Sequence, residues 1–196
     1  MVVAPYYEPL TLRETEHYLR RVAGAVDIPI MLYNLPGVTG VDMPADLIGR
    51  LAREVDNVQY VKDTGGDMAK AGQLIHHHGD VVATFVGCDN LLLAALADGA
   101  AGVMAGTANV IPTQLVSIYD ALRAGDLARA RTEWDSIYPL MDAIMSAPFI
   151  AAVKTALDAV GFPVGDPREP LLGLDDDTAA TIRTLATSLP HPLVTA

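Results

Sequence analysis

The chain has 196 residues, 51% hydrophobic and 19% charged, with a formal net charge of −11 at pH 7. That is a globular composition with enough length to bury a core, and so acidic a chain offers no basic stripe for nucleic acid. Its single cysteine, Cys88, excludes a disulfide framework or a cysteine zinc site, and no apolar run approaches the ~20 residues that span a bilayer.

In chain order, "MVVAP" is a short apolar run with no basic n-region, so a cytoplasmic protein is expected. "LTLRETEHYLRRVAGAV" follows with helical spacing. "IPIMLYN" is a second apolar run, and "MPADLIGRLAREV" is the helix after it. "VQYVK" precedes a helix predicted over 67–78, and "VVATFVG" precedes one over 89–98. "AGVMAG" is a fifth run, followed by "PTQLVSIYDALRAG" with proline in the first helical turn. Short apolar runs alternating with amphipathic helices predict βα units and a parallel sheet. From residue 126 the alternation stops, and helices are predicted near 126–146, 148–160 and 176–188. The expected organisation is therefore a βα region over 1–125 and a helical region over 126–196.

Two parallel-sheet architectures compete. A doubly wound sheet often carries a glycine-rich phosphate turn after its first strand, which "APYYEP" does not resemble. A (β/α)8 barrel sets its chemistry at the carboxyl ends of several strands. Here those ends read "PYY", "YNLPG", "VKDTGGD", "VGCDN" and "MAGTAN", each polar or glycine-rich. The pattern favours a barrel, although five strands do not close one.

Lys62 ends the apolar run "VQYVK" in a chain with only three lysines against ten arginines. A lysine amine attacks a keto acid only when unprotonated, and withdrawal from bulk water favours that form. The imine so formed is an electron sink for making or breaking a carbon–carbon bond. The plainer reading is a strand-end lysine that snorkels into solvent. Tyr33 also ends a strand, where its phenol could shuttle protons; the plainer reading is a core tyrosine with a bonded hydroxyl. Gly37 and Gly40 in "GVTG" are expected to form a turn, and Asp89 in "GCDN" reads as a helix N-cap. The histidines 76–78 lie at a predicted helix C-terminus and point in different directions, so no metal site is expected there.

"PYYEP", "LYNLPGVTG", "VKDTGGD", "GCDN" and "GVMAGTANV", in that order and spacing, resemble the dihydrodipicolinate synthase / N-acetylneuraminate lyase family. The likeness runs over nearly the whole chain, including "AAVKTALDAVGFPVG". It implies an α/β fold: a (β/α)8 TIM barrel that starts late, with strands 4–8 present, the first three βα units absent, and a C-terminal helical extension. It implies class I Schiff-base lyase or aldolase chemistry without a cofactor, acting on pyruvate or a related 2-keto acid and an aldehyde. Lys62 would carry the imine and Tyr33 the proton relay. Met104, Gly87 and Thr39 fall at substrate-binding positions. Tyr7, beside Tyr6, falls where a tyrosine crosses a tight interface, so a homo-oligomer, dimer or tetramer, is implied for the full-length form. No metal is implied.

One departure bears on substrate. Synthases of the family usually carry an arginine where this chain has Val38, and valine cannot form a bidentate pair with a carboxylate. The 4-hydroxy-tetrahydrodipicolinate synthase reading loses ground, and an aldolase or dehydratase acting on a 2-keto-3-deoxy sugar acid gains it. The alternative from another class is a non-catalytic remnant that only self-associates.

Overall fold

The computed structural model describes residues 1–190. The elements in order are β1 (Val2–Val3), α1 (Leu12–Ala23), β2 (Ile30–Asn34), α2 (Pro36–Thr39), α3 (Ala45–Glu54), β3 (Val58–Asp63), α4 (Met68–His78), β4 (Ala83–Val86), α5 (Leu92–Asp98), β5 (Gly102–Val103), α6 (Pro112–Arg123), α7 (Leu127–Ser146), α8 (Phe149–Ala159) and α9 (Asp176–Ser188). All five strands form one parallel sheet in chain order, β1-β2-β3-β4-β5. Among the described residues, β1 and β5 each pair on one side only, so the sheet is open. This is the α/β fold that the alternation predicts, with the sheet made by consecutive βα units.

Local chemistry explains where the helices begin. Thr11 and Glu14 form a capping box on α1: the Glu14 N–H donates to the Thr11 hydroxyl at 3.3 Å, and the Thr11 N–H donates to the Glu14 carboxylate at 2.8 Å. Asp67 caps α4 by accepting from the N–H groups of Ala69 and Lys70. The turn expected at Gly37 and Gly40 is a one-turn helix over Pro36–Thr39 with Gly40 as its C-cap. Pro36 suits its first position, and Gly40, at φ +70°, ends it in the left-handed region. Asp89 opens a short 3-10 turn over Asp89–Leu91 and is buried, instead of standing before the helix as its cap.

The chain divides into two compact units, Met1–Met104 and the residues from Ala105 onward. The division falls ahead of the 125/126 boundary expected from the alternation, because α6 packs on α7. The first unit has its core between sheet and helices. Ile30, Leu32, Val58 and Val61 meet Leu19 of α1, Ile48 and Leu51 of α3, and Leu74 of α4. Each fully buried aliphatic side chain contributes about 1.5–3 kcal/mol. In the second unit α7 contributes Ile137, Leu140, Met141 and Ile144 to the interior, and α8 and α9 supply Ala152, Ala156, Ile182 and Ala186.

Outer charges tie the helical layer of the first unit. Arg50 of α3 donates both guanidinium arms to the Glu16 carboxylate of α1, at 2.7 and 2.9 Å. Arg20 bonds Glu16 and also Glu54. The Arg50 bond lowers the Glu16 pKa against the opposing effect of burial, and with Arg20 it leaves the carboxyl at about 2. No helix among the described residues is long and apolar enough to cross a membrane.

Candidate active site

Tyr33 and Lys62 are register partners at the carboxyl ends of β2 and β3. Parallel pairing without an offset puts both side chains on the same face of the sheet. The Lys62 Nζ donates to Tyr33 Oη at 3.2 Å and lies 4.3 Å from the centre of the tyrosine ring. Both residues are half-buried and lie outside the helix-packed core of the sheet. An amine and a phenol at this separation can exchange a proton directly.

Glycine makes the room for this arrangement. A β-carbon at Gly87, just after β4, would overlap the Thr64 hydroxyl and come 2.5 Å from Lys62 Cε. Gly87 also extends the sheet, donating its N–H to the Asp63 carbonyl at 2.8 Å. The Thr64 hydroxyl beside it is buried and has no hydrogen-bond partner among the described residues. Nothing in the sequence marks Thr64, which opens the turn after β3, as a neighbour of Gly87 on the next strand.

The other predicted residues are placed as follows. Thr39 is buried, and its hydroxyl is committed to backbone: it lies 3.1 Å from the carbonyls of Leu35 and Val41 and accepts the Val41 N–H at 3.2 Å. Val38 is 59% exposed on α2. Met104 follows β5 and donates its N–H to the Val86 carbonyl at 2.9 Å. Tyr7 is 82% exposed, with the Tyr6 ring edge-on to it at 6.5 Å. Cys88 is half-buried; burial pushes its thiol pKa up and the Asp63 carboxylate adds to this, so it stays protonated and a poor nucleophile. The three histidines diverge, His76 toward Asp98 and His78 between Arg53 and Asp46. Among the described residues no group of three or more histidine, cysteine, aspartate or glutamate side chains is arranged to hold a metal.

Strand ends carrying polar turns, with a lysine and a tyrosine paired on adjacent strands, define a parallel α/β fold of consecutive βα units with an amine–phenol pair at its carboxyl edge. A sequence model of the dihydrodipicolinate synthetase family matches residues 1–189, and the chain belongs to that family. A DapA-like lyase from Halobacterium salinarum is 40% identical over 184 residues, which is 93% of this chain and 59% of that one. A dihydrodipicolinate synthase from Bacillus anthracis superposes with a TM-score of 0.90 at 33% identity, over 97% of this chain and 65% of the other. YagE, a prophage protein of the dihydrodipicolinic acid synthase family from E. coli K12 solved with pyruvate, superposes with a TM-score of 0.88 at 29% identity, over 95% and 64%. The chain thus spans less than two thirds of the length of these relatives.

Proposed function

We propose that the chain carries the Schiff-base centre of a lyase or aldolase acting on pyruvate or a related 2-keto acid. The observation that carries this reading is the 3.2 Å contact between Lys62 Nζ and Tyr33 Oη at adjacent strand ends. The neutral amine of Lys62 adds to the keto carbon, forming a C–N bond as the carbonyl oxygen takes a proton. Tyr33 supplies and recovers protons while that oxygen leaves as water, giving a protonated imine. The imine draws electrons from the neighbouring C–H bond as Tyr33 takes that proton, and the resulting enamine attacks an aldehyde carbon while the aldehyde oxygen takes a proton. Read in reverse, the same steps cleave the bond. The Thr64 hydroxyl and the Gly87 turn line the space where the keto acid stands. Met104 remains a proposed contact through its backbone carbonyl, Thr39 a proposed substrate-binding residue, and Tyr7 a proposed interface residue.

Val38 bears on the partner of the keto acid. An exposed valine offers no bidentate pairing to a second carboxylate, which favours a 2-keto-3-deoxy sugar acid over the substrate of a 4-hydroxy-tetrahydrodipicolinate synthase. A second reading, a non-catalytic chain that only self-associates, is favoured by one observation. The two edge strands lack charged residues and pair on one side only. Sedimentation across a concentration series measures that tendency.

Incubation with pyruvate and borohydride tests the chemistry. Peptide mapping is expected to find the reduced adduct on Lys62. A label on Lys70 or Lys154, or no label at all, would overturn the assignment.

A further inference from the structure

Behind the Tyr33–Lys62 pair, on the helix-covered face of the sheet, lies a polar group that the chemistry above does not use. Asn34 and Asp63 directly follow Tyr33 and Lys62, are register partners, and are 1% and 3% exposed. The Asn34 amide donates to the Asp63 carboxylate at 2.6 Å and to the Asp42 carboxylate at 2.8 Å. Its oxygen accepts the Met43 N–H at 3.0 Å. Both amide protons and the oxygen are engaged, so the amide cannot turn without breaking three bonds.

The group is closed by Lys70 of α4. This lysine is only 8% exposed, yet its ammonium reaches the Asp42 carboxylate, the same oxygen that accepts from Asn34. Gly65 lets it in: a β-carbon there would lie 3.2 Å from Lys70 Nζ and 3.3 Å from an Asp63 oxygen. Burial pushes the Asp42 pKa up, and the Lys70 and Asn34 bonds with the Lys70 charge more than reverse it. A long cationic side chain is withdrawn from water only where its head meets a partner. Here that partner is the acceptor orienting the amide that ties β2 to β3.

We propose that Lys70 is a positioning residue for the Tyr33–Lys62 pair: by holding Asp42 it fixes the Asn34 amide, which locks the end of β2 to the end of β3 directly behind the two reacting side chains. The inference rests on the Schiff-base reading for its catalytic meaning, but the geometry it describes can be measured without any keto acid. Misplacement by about 1 Å is enough to cost on the order of 10²-fold in rate, so a lock at this point matters.

The test compares Lys70→Met, Lys70→Arg and Asp42→Ala with wild type in the same chain. Asp42 is largely exposed, with 55% of its side-chain surface accessible, so its replacement removes little apolar packing while leaving Lys70 and one Asn34 amide proton without their partner. Two readouts are taken beside a thermal melt. The first is acetic anhydride labelling of Lys62 relative to Lys154. It is expected to rise roughly fivefold in Lys70→Met and Asp42→Ala, as when one net hydrogen bond is lost, and to return in Lys70→Arg. The second is the rate of borohydride trapping at saturating pyruvate, expected to fall by about tenfold or more in the same two variants with little change in half-saturation. An unchanged labelling ratio in variants that melt cooperatively overturns the proposal. Loss of the cooperative melt in both Lys70→Met and Asp42→Ala also overturns it, since the group would then be holding the fold and not the pair. Should wild type trap no pyruvate, the Schiff-base reading fails while the labelling ratio still decides the lock.

Discussion

The two faces of the same sheet are built to different rules. On the helix side, Leu32, Asn34, Val61, Asp63, Thr84 and Val86 are buried, and both amide protons and the oxygen of Asn34 are engaged. On the opposite side, Met31, Tyr33, Tyr60, Lys62 and Phe85 are half-buried, with Tyr60 and Phe85 meeting edge-to-face at 6.2 Å. Beyond the register shift at the start of the β2–β3 ladder, one-residue alternation along residues 31–34 and 60–63 assigns neighbours to opposite tasks. Tyr33 and Lys62 hold the proposed chemistry, while Asn34 and Asp63, one position on, hold the strands together. Reactive groups need an open side for substrate; their precision comes from the closed side.

This division predicts opposite signatures for substitutions on adjacent residues. Tyr33→Phe removes a phenol from the open face, so trapping should slow by about 10²–10⁴-fold. Its melting temperature should stay near wild type, and a large loss of stability with intact trapping would break the comparison. Asn34→Leu, one residue later, leaves the Met43 N–H without its partner and takes from the buried Asp63 carboxylate the shorter of its two bonds, the other being from the Gly65 N–H at 3.3 Å. An orphaned buried group costs about 1–3 kcal/mol, which denaturant titration reads directly. A neutral result there would show that the closed face tolerates polar mismatch.

Smaller effects sharpen the picture. Gly87→Ala drives a methyl into the Thr64 hydroxyl and Lys62 Cε, an overpacking expected to cost about 1–3 kcal/mol and to slow trapping as well. If trapping were unaffected, the Lys62 chain would not need its present path. Farther out, Glu16→Gln should cost at most about 1 kcal/mol, because the Glu16–Arg50 pair is partly exposed. Folding lowers the Glu16 pKa from its ordinary 4.5 to about 2. Its contribution is therefore fully present above pH 4.5 and is lost as the pH falls through about 2. The stability difference between wild type and Glu16→Gln should narrow over that window; a constant difference down to pH 2 would contradict the linkage.

Much of this layout is legible in the sequence. Alternation of apolar runs and helices gives the parallel sheet, and Asp67 marks the start of α4 because its cap bonds are local in the chain. Tyr33 and Lys62 stand out as polar residues closing apolar runs, and motif order points to the family. What lies across strands is less visible. Lys70 reads as one more helical lysine, since nothing within a few residues shows that α4 turns it toward Asp42, twenty-eight positions earlier. Thr64 looks like a loop threonine until Gly87 of the next strand is set beside it. The helical turn Pro36–Thr39 hides behind its two glycines, one of which serves as its left-handed terminus.

The central claim is that Lys62 and Tyr33 together form an imine and move protons, and pyruvate alone tests it in heavy water. An enamine formed on Lys62 and reprotonated with Tyr33's help exchanges the methyl protons of pyruvate for deuterium, with no aldehyde required. Proton NMR of the pyruvate methyl signal should show its decay with the wild-type chain, strong slowing with Tyr33→Phe and none above buffer with Lys62→Met. Exchange that is no faster than buffer in wild type, or equally fast in Lys62→Met, would contradict the account.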